Sequence, residues 1–396
     1  MKRIVYSAAL LLALMATACG GGGKDVSALP QIDVNAEYPE KEICLQDVAE
    51  VSYIALDSQD DFLFKGKLEE VSSKGIAVIG NDKIYLFHPD GKARNIIDKK
   101  GQGPGEYPFV YYAAFDWEKE EVYVHIPFQN QMFVDSLDGE FKRQFALSDN
   151  FRQHDMVNGT EHLVMYKVKP GKNEKGRIEP PYRPITYMSK ADGAVDSLSF
   201  QQNYHTSMCI KLETGDGNVI TSLVSVTALK QLNGSVYLNE IATDTIYRLD
   251  GKTLEPMMSR TPSVETESGA KIFLQMHGIT PRHYFLRRQM EELVYIPSEG
   301  AYDYVSVDKG SGWLLYDIKT GEKFCAKISN KDWSSEISYK YLTFDGCDAN
   351  TAYLKLEAFD LIQALEAGEL SGELKTIAEG LKEDDNPVLM VVKFKE

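Results

Sequence analysis

Short runs of alternating apolar and polar residues, each closed by a tight turn, recur from Val51 to the C-terminus. A period of two buries one face of a strand and leaves the other in water. The first clear unit holds Ile76-Ala77-Val78-Ile79, a turn at Gly80-Asn81-Asp82, then Lys83-Ile84-Tyr85-Leu86-Phe87, a turn at Asp90-Gly91, and Ala93 to Ile97. The second holds Ala113-Ala114-Phe115-Asp116, Glu121-Val122-Tyr123-Val124, Gln131-Met132-Phe133-Val134, the Asp138-Gly139 turn, and Phe141 to Leu147. Both are read as four-stranded units. Asp-Gly suits hairpins because glycine, and to a degree aspartate, accepts a positive φ.

The same punctuation returns at Asp192-Gly193, Asp250-Gly251 and Thr320-Gly321, each after an alternating run. The five turn glycines are 48, 54, 58 and 70 residues apart, at or beyond the roughly 40 to 50 residues of a propeller repeat, so the later units carry insertions. A sixth unit combines Thr351 to Leu356 and Val388 to Phe394 with Val51 to Leu56 from the other end of the chain. Such sharing closes the ring, which otherwise leaves two blade faces wet at about 25 cal/mol per Å² of apolar surface. Phe359 to Ala367 and Leu370 to Leu381 have helical periodicity, with an apolar stripe for packing on the last blade. The predicted fold is all-β: a six-bladed β-propeller closed by N- and C-terminal strands, with short C-terminal helices.

Ahead of this domain, Lys2 and Arg3 precede an apolar run from Ile4 to Ala18, which ends at Cys19 and the glycines Gly20 to Gly23. The run is too short for the roughly 20 residues of a spanning helix and reads as a signal peptide. Ala16, Thr17 and Ala18 before a cysteine resemble a lipobox, with Ala16 where leucine is usual. The expected division is therefore 1–18 signal peptide, 19–30 lipidated tether with acyl chains on Cys19, and 31–396 propeller. A glycine-rich tether of about ten residues spans roughly 17 Å. The expected location is the cell envelope, as an outer-membrane lipoprotein facing the periplasm or the surface.

The net charge of −16, or −18 without Lys2 and Arg3, disfavours nucleic acid as a partner. Cys44, Cys209, Cys325 and Cys347 have no C-x-x-C spacing, so free thiols are the default.

Gly101-Gln102-Gly103-Pro104-Gly105-Glu106-Tyr107-Pro108, followed by Phe115-Asp116, Val122-Tyr123-Val124, Gln129-Asn130-Gln131 and Asp138-Gly139-Glu140-Phe141, resembles one NHL-type propeller repeat. His125 stands where that repeat usually has aspartate. Glu383-Asp384-Asp385-Asn386-Pro387-Val388-Leu389, with Val392 to Lys395, looks like the C-terminal signature of six-bladed β-propeller lipoproteins of anaerobic Gram-negative bacteria. The resemblance implies the fold and the envelope location and implies no settled activity.

No Lys-Ser/Thr follows the Gly101 to Tyr107 loop, so it is read as structural and not as a phosphate cradle. Glu106 and Tyr107 are nevertheless candidates for the channel mouth. His125, Asn130, Arg152 and His154 are candidates for a polar funnel offering hydrogen bonds to sugar hydroxyls or a peptide. His277, Arg282, His283, Arg287 and Arg288 read as part of an ordinary polar insertion, and the basic stretch Tyr166 to Pro184 as a solvated hairpin extension. No catalytic or metal motif and no cofactor is identified. The expected function is a noncatalytic binding or interaction module for a glycan, a peptide or an envelope protein. The alternative is a lactone hydrolase or lyase with an axial calcium or zinc ion, the chemistry of enzymes related to the NHL type.

Overall fold

The five turn glycines Gly91, Gly139, Gly193, Gly251 and Gly321 all have positive φ, between +55° and +87°. Each joins the third and fourth strands of a blade. At Gly91 a Cβ would also lie 2.4 Å from the Ala55 carbonyl oxygen. In this computed structural model the described residues are 29–147, 153–167, 185–198, 200, 209–213, 219–223, 227–240, 243–264, 271–298, 301–308, 312–334 and 341–396. The predicted leader, Cys19, nearly all of the tether, and residues 168–184 of the basic stretch lie outside them.

Six blades form a ring. From the axis outward, blade 1 holds Gly66–Ser72, Gly75–Gly80, Lys83–Phe87 and Ala93–Ile97. Blade 2 holds Tyr112–Asp116, Glu121–Ile126, Gln131–Ser136 and Phe141–Ala146, and blade 3 holds Gln153–Asn158, His162–Lys167, Ile185–Ser189 and Val195–Leu198. Blade 4 is Leu229–Leu232, Ser235–Leu238, Thr245–Asp250 and Thr253–Thr261; blade 5 is Lys271–Ile279, His283–Ser298, Gly312–Asp317 and Lys323–Ser329.

Blade 6 closes the ring. Thr351–Leu356 pairs antiparallel with Val388–Phe394, which pairs antiparallel with Ala49–Ala55 in register from Val388↔Ala55 to Phe394↔Ala49. Thr343 bridges Tyr353 and supplies the axial edge. No turn joins the third and fourth strands of this blade, because they come from opposite ends of the chain.

Three features depart from the expectation. The axial strand of blade 1, Gly66–Ser72, lies ahead of the first recognised run and carries Lys67, Glu69 and Glu70, which spoil its alternation. Gln31–Asp33 and Glu40–Cys44 add parallel fifth strands to the outer edges of blades 4 and 5, covering backbone groups that water would otherwise have to satisfy. The stretch read as a polar insertion, Gly278 to Gln289, is instead the end of the first strand and much of the second strand of blade 5, with Phe285 and Leu286 buried. The insertion lies further on. His283–Ser298 pairs first with Gly312–Asp317 and then, past it, with Ala301–Asp308. A hairpin of Cys209–Glu213 and Val219–Leu223 is inserted between blades 3 and 4.

Helices Ala358–Glu366 and Gly372–Ala378 turn Leu361, Ala364, Leu374 and Ala378 into the core shared with Val388 and Met390 of blade 6. Among the described residues no helix is long and apolar enough to cross a membrane. All first strands start on one face of the ring, called here the upper face. The turns between second and third strands open there, as do the connections between blades.

Candidate functional site

The first strands of neighbouring blades pack around the axis, where six backbones leave little room for large apolar side chains. Each contributes a polar residue: Glu69, Tyr112, Asp155, Lys230, His277 and Asp345 for blades 1 to 6. Lys230 is buried, with its Nζ 3.1 Å from His277 Nδ1. An ammonium only donates, so Nδ1 is assigned as the acceptor and His277 Nε2–H as donor to Gln275 Oε1 at 3.3 Å.

The carboxylates are anchored by backbone. Asp155 Oδ2 accepts from the Leu229 amide at 3.0 Å and from the Ala228 amide, and Asp345 Oδ1 accepts from the Gln231 amide at 2.9 Å. Asp155 therefore locks blade 4's first strand to neighbouring blade 3, and Asp345 ties it to blade 6, two blades on. Burial raises the Asp155 pKa to about 7 despite these bonds, and raises that of Asp345 too. Burial lowers the pKa of Lys230 against the pull of Asp345 and Asp155. Burial, then the charges of Lys230 and Arg287, hold His277 well below the ordinary imidazole value. Tyr112 is pushed up to about 12, chiefly by burial and then by Tyr111, Asp155 and Glu69.

Above the ring, a cleft of about 800 Å³ opens on the upper face between blades 1 and 6. Lys67 and Glu69 line one side, Trp333, Tyr341 and Tyr353 the other, and Asp345 is shared with the ring. Tyr341 stands on the rim, 64% exposed. Glu357 and Asp360, at the start of helix Ala358–Glu366, close the outer end.

The predicted candidates occupy other places. Tyr107 is fully buried in the core between blades 1 and 2, its hydroxyl donating to Asp135 Oδ2 at 3.2 Å. Glu106 folds back to accept from the Gly103 amide at 2.8 Å, and a Cβ on Gly101 would lie 1.8 Å from its Oε2. His125 comes nearest the axis: it sits one strand outward, buried, stacked on Tyr112 at 6.4 Å, with neither ring nitrogen hydrogen-bonded. Burial holds its pKa down at about 4. Asn130 takes a left-handed conformation (φ +52°) at the upper turn of blade 2. His154 occupies a bulge in blade 3's first strand, and Arg152 lies outside the described residues. Among the described residues, the structure thus joins His125 to axial Tyr112 and does not bring Glu106, Tyr107 and Asn130 together with it.

Sequence reasoning missed the ring itself. Its only linear trace is a polar residue at a matching place in each first strand, which requires the blade register to see. Among the described residues, no three His, Cys, Asp or Glu side chains gather as a metal-holding group. Cys44, Cys325 and Cys347 are free, partly buried thiols.

The profile of DUF4934, a domain of unknown function, matches residues 29–393. The chain belongs to the DUF4934 family. Among solved structures it is similar to a Bacteroides fragilis protein named as a candidate exported protein, at 14% identity and a TM-score of 0.60, covering 93% of this chain and 99% of that one. It is also similar to a DUF4221 family member from Bacteroides vulgatus, at 11% identity and a TM-score of 0.50, covering 89% and 99%. At these identities the likeness establishes a shared propeller fold for this DUF4934 chain. Comparison with curated proteins finds no match.

Proposed function

We propose that this DUF4934 protein is a noncatalytic binding module of the bacterial cell envelope, held near a membrane by acyl chains on Cys19 and binding a glycan or peptide on its upper face. The observation that carries the reading is the cleft of about 800 Å³ at the axis, polar at its floor and aromatic at its rim, a size and lining suited to a small ligand. Lys230 supports the noncatalytic side: its ammonium holds His277 at the axis, where a hydrolase or lyase of the alternative kind would place its metal ion. The leader pattern ending at Cys19, and the name of the Bacteroides fragilis relative, support the envelope location.

The test is a calorimetric screen of oligosaccharides and short peptides against the protein and its Tyr341→Ala variant. Binding weakened by that change, with the ligand recovered intact, supports the reading. Ligand turnover, or binding indifferent to Tyr341, counts against it.

A further inference from the structure

Building on the upper face as the binding face, we propose that the cleft between blades 1 and 6 takes a ligand's primary ammonium group on Glu69, in the place now held by Lys67. Glu69 lies on the cleft wall with its side chain only 19% exposed, and burial raises its pKa. Its ion-pair partner is of the opposite kind. Lys67 is 78% exposed, and its Nζ donates to both carboxylate oxygens at 3.0 Å. An exposed lysine gains little from such a pair and loses side-chain entropy in making it, so it is readily displaced. The carboxylate, by contrast, is mostly buried and receives an ammonium in a geometry the chain itself displays.

The surroundings suit an amine carried on a body that stacks. Tyr341 offers an exposed ring at the rim, and Trp333 and Tyr353 add aromatic wall beside the carboxylate. Aromatic faces next to an acid favour organic cations. Trp333 is 9% exposed, and its indole N–H, itself sealed from solvent, has no acceptor. At the outer end, Lys355 is paired with Glu357 at 2.7 Å, whereas Asp360 extends the acidic side.

Peptides and amino sugars both carry such an amine. The probes are Gly-Lys-Gly amide and a glucosamine trimer, each titrated calorimetrically against its N-acetylated form. Binding of either amine, weakened about tenfold or more by acetylation and by Glu69→Gln, is expected for loss of one charge-assisted contact. Lys67→Ala should tighten the same binding severalfold, because it removes the competitor, while leaving the melting temperature unchanged. Which amine binds identifies the source.

Acetylated probes that bind as well as the amines, Lys67→Ala weakening the binding, or no amine binding at all would overturn the proposal. Neutral ligands that still need Tyr341 would leave the binding-module reading standing without it. A protein that binds nothing on this face would lose both.

Discussion

Replacing Lys190 with methionine strikes an ion pair buried at both ends. Lys190 Nζ reaches across from blade 3 to Asp116 Oδ2 of blade 2 at 2.6 Å, with the side chains 2% and 7% exposed. The ammonium also donates to the Thr160 carbonyl at 3.3 Å and lies 5.7 Å from the centre of the Tyr123 ring. Methionine fills the space of the aliphatic stem but leaves the Asp116 carboxylate buried without its counter-charge. Its remaining partner, the Lys119 amide, donates to the other oxygen at 3.0 Å. Removing one member of a buried pair costs about 3–5 kcal/mol. Urea unfolding followed by tryptophan fluorescence should show that loss. Adding Asp116→Asn to Lys190→Met should recover part of it, since no unpaired charge is then buried. A loss below about 1 kcal/mol, the range of an exposed pair, or a double variant no better than the single one, would refute the burial argument.

Further outcomes follow from the pH-sensitive groups and the leader. Glu121 is held at about 2 by its two hydrogen bonds from Arg143 at 2.6 and 2.8 Å. It therefore adds stability above the ordinary value of 4.5, and this is lost as pH falls towards 2. Melting temperatures across that range should depend less on pH in Arg143→Ala than in the parent. Asp155 has the opposite sign: its folded value of about 7 exceeds the ordinary 3.8, so its favourable contribution is complete below 3.8 and lost as pH rises through 7. Asp155→Asn keeps an acceptor for the Leu229 amide and should flatten that decline, and an unchanged slope would contradict the burial of this carboxylate. On the proposed anchor, Cys19→Ala should move the protein from the membrane fraction to the soluble one and abolish fatty-acid labelling.

Local chemistry made the blade turns and the closing strands legible. Asp-Gly turns with positive φ and strict alternation are properties of a few adjacent residues, and both survive the passage to three dimensions. Val388 to Phe394 and Val51 to Leu56 could be joined because a ring needs its open edges paired. The axial strand of blade 1 was hidden because Lys67 and Glu69 line the cleft and Glu70, past a bulge, accepts from the Trp117 indole, breaking the alternation that marked Ile76 to Ile79. Gln31–Asp33 and Glu40–Cys44 were hidden because each turns a single isoleucine, Ile32 or Ile43, to the core, too short a run to display alternation. The site was harder still. Glu69, Asp155, Lys230, His277 and Asp345 are scattered over nearly 280 residues and meet only when five blades have been wound around one axis. His125 could be singled out as the odd residue after a Val-Tyr-Val strand, yet its second-strand position places it behind Tyr112.

The central claim is that ligand binds on the upper face, and photo-crosslinking in whole cells tests it most directly. A photoreactive phenylalanine analogue is placed at Tyr341 on the cleft rim or at Glu118, exposed on the lower turn of blade 2. Adducts that form at position 341 and are absent at position 118 are the predicted result. Adducts at 118 with none at 341 would contradict the claim.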